Sequence, residues 1–190
     1  MRIGLFILIA LMSGCGPSVS RLSLTDERLP VDARRWVADA EDAVVVSGAW
    51  LADAMRSLDD ANRWSQRVLE APPFVGSLGA TAQLHRSAMA TAVVSERQAA
   101  QRLAQADLDL AKARRTLIYA ETAMRHDIAV YNMPPLQALV DQKLQAVLVF
   151  RDQHRKARNK ALAATDTWWA TWQKFVAAKN DTRPFWTEAP

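Results

Sequence analysis

Apolar residues recur every three or four positions along three long stretches of this chain, and proline marks the breaks between them. No proline occurs from 31 to 71, where Gly48 is the only glycine, and Pro72-Pro73 ends the run. Residues 80–131 lack both residue types, and Asn132-Met133-Pro134-Pro135 reads as a sharp turn. The third run, 136–179, is closed by Asn180-Asp181 and then Pro184. Such runs far exceed the usual helix of about 11–12 residues, and long periodic runs argue coiled coil. The pattern predicts helices over about 31–71, 80–131 and 135–179, with Pro135 suited to a first helical turn.

The stripes support this. Trp36, Ala40, Ala43, Ser47 and Trp50 step by four and three, as do Ala106, Leu110, Ala113 and Leu117, and later Ala157, Ala161, Ala164 and Trp168. A strict 3.5-residue period gives left-handed supercoiling, and short turns make neighbouring helices antiparallel. The expected fold is all-α: an elongated antiparallel three-helix bundle or coiled coil, about 60–80 Å long at ~1.5 Å per residue.

Trp36-Val37-Ala38-Asp39-Ala40 recurs as Trp50-Leu51-Ala52-Asp53-Ala54, and Trp64 continues the spacing, so three indoles share one stripe. With turns centred near 75 and 133, Trp50 falls level with Ala100 and Trp168. Large residues on helices one and three against alanines on helix two would then fill the core. Stacked indoles around a bilin, haem or quinone are the competing reading, without a cysteine or paired histidines to support it. The same arithmetic carries helices two and three beyond helix one by roughly fifteen residues each at equal rise. That protruding hairpin tip holds Ile128, Tyr131, Met133, Leu136 and Val140, and an exposed apolar tip would be a partner-docking surface. The alternative is that Leu22, Leu24 and Leu29 fold back over it.

Composition narrows the chemistry. The chain has one cysteine, three histidines and seven tryptophans, with a net charge of +4. No disulfide can form within it. His85, His126 and His154 do not fall opposite one another, so no metal site is expected, and His154 reads as a hydrogen-bonded boundary residue. No H-E-x-x-H, G-x-S-x-G, P-loop or Cys-x-x-Cys occurs, which argues against an enzyme. A belt of Arg34, Arg35, Arg114, Arg115, Arg151, Arg155 and Arg158 gathers by the level arithmetic. It would suit phospholipid or lipopolysaccharide phosphates or an acidic partner, but Asp39, Glu41, Asp42, Asp107 and Asp109 lie near enough to pair with it. Part of helix two, Leu103 to Ala113, is similar in heptad composition to the hairpins of periplasmic adaptors and efflux proteins, a likeness that assigns no residue a role.

The first residues add an address. Arg2 precedes an uncharged apolar run, Ile3 to Met12, then Ser13-Gly14 and the single Cys15. This is the order of a secretory signal, and ten apolar residues are too few to span a bilayer, which takes about 20. Leu11-Met12-Ser13-Gly14-Cys15 resembles the lipobox of bacterial lipoproteins, with methionine where that class prefers leucine. The resemblance implies cleavage before Cys15, covalent acylation of that residue and no other cofactor. It divides the chain into a leader (1–14), a lipidated tether (15–30) and the bundle (31–190) with a short C-terminal tail.

Gly16 in place of an aspartate leans towards an outer-membrane location facing the periplasm, and that compartment excludes nucleic acid. The expected function is a membrane-anchored, non-enzymatic binding, spacer or scaffold module of the envelope, with an envelope protein as partner and self-association through unpaired apolar edges. Two alternatives stand beside it: an accessory subunit of a transport or secretion complex docking through the hairpin tip, and a peripheral phospholipid- or lipopolysaccharide-interacting protein.

Overall fold

The computed structural model describes residues 19–71, 73–74 and 78–179. The leader, Cys15 and the C-terminal tail from 180 onward lie outside the described residues. Three helices account for most of what is described: α1 (Val31–Glu70), α2 (Gly79–Arg125) and α3 (Met133–Lys179), with no strand among the described residues. Glu41 meets Arg115 while Ala71 meets Arg86, and Asp109 meets Lys143 while His85 meets Thr171. Both neighbouring pairs therefore run antiparallel, as the all-α reading requires.

Local chemistry sets the helix ends. Pro30 precedes α1 in an extended conformation, φ −64° and ψ 161°. At the other end Ala71 stands before a proline, which disfavours the helical region, and it turns extended at ψ 146°. α2 ends at Arg125, six residues short of the expected 131, because Asp127 takes a left-handed conformation with φ 53°. The Ile128 N–H donates to the Ala123 carbonyl at 2.8 Å, and the Asp127 N–H to that of Met124 at 3.3 Å. This paired closure is the Schellman motif, with aspartate where glycine is usual.

α2 is the central helix. It packs against both α1 and α3, yet no Cα of α1 comes within 8 Å of one in α3. The bundle is thus an open trough, with α2 as floor and α1 and α3 as walls. At the α1–α2 turn the trough is plugged by side chains: Trp64, Trp168, Phe175 and Met89 form one buried cluster, with Phe74 against it. Each fully buried large side chain there is worth about 1.5–3 kcal/mol. At the opposite end Leu22 and Leu29 are buried with Val37 and Tyr119, and Ile128 and Tyr131 pack on them. Pro30 and Ala33 lie beside Arg125 and His126, so α1 starts level with the end of α2. The α2–α3 turn is therefore flanked by α1 and covered by the tether, with Leu24 left outside at 43% exposure.

Between these closed ends α1 buries nothing from 41 to 60. Trp36 and Trp50, expected in the core, are 53% and 60% exposed. Only the third indole of that column, Trp64, is buried, because only there does α3 present a side chain as large as Trp168. No described helix is long and apolar enough to cross a membrane.

Candidate functional site

The middle of the trough is a groove of about 480 Å³. Its α1 wall is aromatic, with Trp36 and Trp50 separated by the small residues Ala40, Ala43 and Ser47. Its floor is Asp107, Leu110, Arg114 and Ile118 of α2, and Arg151 projects into it from α3. Small residues between the indoles leave the groove unfilled.

Three electrostatic features mark the site. Asp107 is partly buried, and burial pushes its carboxyl above the usual range, with Arg151 acting in the opposite direction. Arg125 lies over the Trp36 ring, 5.1 Å from its centroid, in a cation–π contact. At the tether end of the groove Glu41 is held by Arg115 at 3.2 Å and Arg21 at 3.2 Å, and the Tyr119 hydroxyl donates to it. The Tyr119 hydrogen bond is the main cause of a lowered Glu41 pKa, strengthened by Arg115 and opposed by burial. Burial, then Glu41, raises that of Tyr119.

The expected basic belt is divided. Arg114, Arg115 and Arg151 converge on the groove, and Arg114 and Arg151 make no ion pair among the described residues. Arg34 instead donates to the Leu29 carbonyl at 2.8 Å and the Asp26 carbonyl at 3.2 Å, stitching the tether to α1. Arg35 points to solvent, and Arg155 pairs with Asp152 on its own helix. Arg158 lies farther along the same trough, beside Glu96, Arg97 and His154. His154 Nε2 is 2.9 Å from Glu96 Oε1. Among the described residues no group of three or more His, Cys, Asp or Glu is placed to hold a metal.

The expected docking tip is largely committed to internal packing. Leu136 is buried to 2% exposure, Val140 packs with Ala106, Leu110 and Val147, and Ile128 and Tyr131 lie under the tether. Met133, the first residue of α3, is half-buried. Sequence reasoning did not find the Glu41–Tyr119–Arg115 cluster. The available signal was a carboxylate on α1 facing an Arg-x-x-x-Tyr step of α2, whose side chains share one helical face. No protein-family model, curated protein or solved structure matches this chain.

Proposed function

We propose that this protein is an envelope lipoprotein, exported by its leader, acylated on Cys15 and held at a bilayer, with the outer membrane as the favoured location. There its rod of about 70 Å, from 47-residue helices, acts as a non-enzymatic binding and scaffold module. The observation that carries this reading is the docking of residues 19–30 on the α2–α3 turn end. Val19 packs there, and Cys15 is four residues earlier, within about 14 Å of extended chain. An acylated Cys15 would therefore pin one defined end of the rod at the membrane instead of leaving it on a loose leash. The open trough, walled by indoles and reached by arginines, supports a binding role.

The test is fractionation of cells producing the full chain or its Cys15→Ser variant. Wild-type protein should partition with membranes and gain acyl mass on Cys15, whereas the variant should be released in soluble form. An unmodified thiol on wild-type protein, with equal membrane association of both forms, would refute the reading.

A further inference from the structure

The two walls of the trough carry exposed heptad stripes of opposite character. On α1, Asp39, Val46, Trp50, Asp53 and Asp60 follow one another at three, four and seven residues, and all five are exposed. On α3, Leu148, Arg151, Arg155, Arg158 and Leu162 step by three and four, and all five are likewise exposed. The helices share this bias as wholes: α1 carries eight acidic against five basic side chains, and α3 three against eight. Each stripe combines charged and apolar residues, acidic on α1 and basic on α3.

The stripes also agree in height. Arg115 sits beside Glu41 and Lys143 beside Asp109, and counting along the helices from these pairs puts Asp53 about one turn from the level of Arg151. Asp53 and Arg151, and Asp60 and Arg155, thus flank the trough at similar levels, yet among the described residues no ion pair joins α1 to α3, whose Cα atoms stay more than 8 Å apart. Among the described residues the ion pairs of these side chains, Asp53 with Arg56, Asp60 with Arg63 and Arg155 with Asp152, are local and exposed, so exchanging them costs little.

We propose that the trough is closed by a second copy of this chain. The copies pair trough to trough about a two-fold axis parallel to the rods, so that α1 of each lies along α3 of the other. That operation preserves heights, so along both seams it sets Asp53 near Arg151, Asp60 near Arg155 and Trp50 near Leu148. Such an isologous contact is self-limiting. Trp50 becomes the central anchor against Leu148, the place where interface tryptophans carry most weight. Both tethers emerge at the same end, as attachment to one bilayer would require. The pairing itself rests on the walls and not on the anchor.

Cysteine crosslinking in intact cells tests this on the full chain. Disulfides require Cα atoms within about 7 Å, so Asp53→Cys and Arg151→Cys cannot join within one copy unless the trough collapses. Co-produced D53C and R151C chains should give a non-reduced species of twice the mass of the processed chain, and neither variant alone should. Adding Trp50→Asp should lower the yield more than about tenfold, and high salt should lower it further by screening the charged seams. Absence of the dimer would overturn the proposal, as would equal crosslinking by a single variant, an unchanged yield with Trp50→Asp, or crosslinks only to another protein. A fast-migrating intrachain product from the D53C/R151C double variant would show that the trough closes on itself, and would overturn it too. So would a chain that stays monomeric while palmitate vesicles shift its tryptophan fluorescence.

Discussion

Trp64 and Trp50 belong to the same column of the same helix, fourteen residues apart, and meet opposite fates. Trp64 is 3% exposed and Trp50 is 60% exposed. The difference lies across the trough. Near the α1–α2 turn, α3 brings Trp168 and Phe175, and the loop adds Phe74, whose ring centroid is 4.8 Å from that of Phe175. In the middle, α3 contributes an arginine and the gap stays open. Heptad position thus selects residues that can be buried. Burial itself depends on whether the third helix supplies enough volume at that level.

The sharpest way to break this contrast is to shorten the plug. Trp168→Ala should cost about 3–5 kcal/mol in chemical denaturation, as large core aromatics do, because its side chain is fully buried. Trp50→Ala should change the stability of an isolated chain by no more than about 0.5 kcal/mol. Equal losses would mean that the two regions are not as different as their burial implies.

Arg86 offers the next test. It is 1% exposed, donates to the Ala71 carbonyl at 3.0 Å and to Gln83 at 2.7 Å, and lies 4.7 Å from the Phe74 ring centroid. It fastens the end of α1 to α2 and holds the loop ring over the cluster. Arg86→Met keeps much of the volume but leaves that carbonyl without its charged donor, so a loss of about 1.5–3 kcal/mol is expected. Thermal unfolding of the variant would check it.

The two described glycines divide in the same way. A Cβ on Gly79 would meet the Phe74 carbonyl oxygen at 2.5 Å, whereas one on Gly48 would meet nothing within 4 Å. Gly79→Ala must push the loop off the closed end, at about 1–3 kcal/mol. Gly48→Ala sits mid-helix in open space and should gain about 0.5–1 kcal/mol from helix propensity. Denaturant midpoints that moved the same way for both would contradict the division into closed and open regions.

Much of this fold was legible because proline and periodicity speak locally. Pro30, Pro72 and Pro134-Pro135 bracket helices whose ends fall close to the expected ones. The exception was α2, whose stop is an aspartate in a conformation that glycine or asparagine normally signals. Losing those six residues moved the α2–α3 turn, and every level assigned to α3 shifted with it. Arg158, expected beside Arg114, is found beside Arg97, while Arg151 still reaches the groove. The Trp36–Trp50–Trp64 column was visible, but not the missing volume opposite its first two members. A one-dimensional pattern names a face and cannot say how far away the facing helix stands.

The tether end is closed by different means, with a carboxylate at its centre, and acid should open it first. Glu41 has a folded pKa below its ordinary 4.5, owing mainly to the Tyr119 hydroxyl. For a lowered carboxylate, the stabilisation is fully present above the ordinary value and is lost as pH falls through the folded one. Acidification below 4.5 should therefore release Arg21 and loosen residues 19–30, read as faster amide exchange at Leu22 and Leu29, while the aromatic plug keeps its protection. Asp26, in the same tether, is also drawn down, to about 2, mainly by the side chain of Arg28. Tyr119→Phe removes the leading cause and should cost about 1 kcal/mol at neutral pH, the net worth of a typical hydrogen bond. It should also flatten the acid dependence of exchange at the tether. If exchange at Trp168 followed the same acid profile as Leu22, the two ends would be one cooperative unit, and the contrast between plug and clasp would be lost.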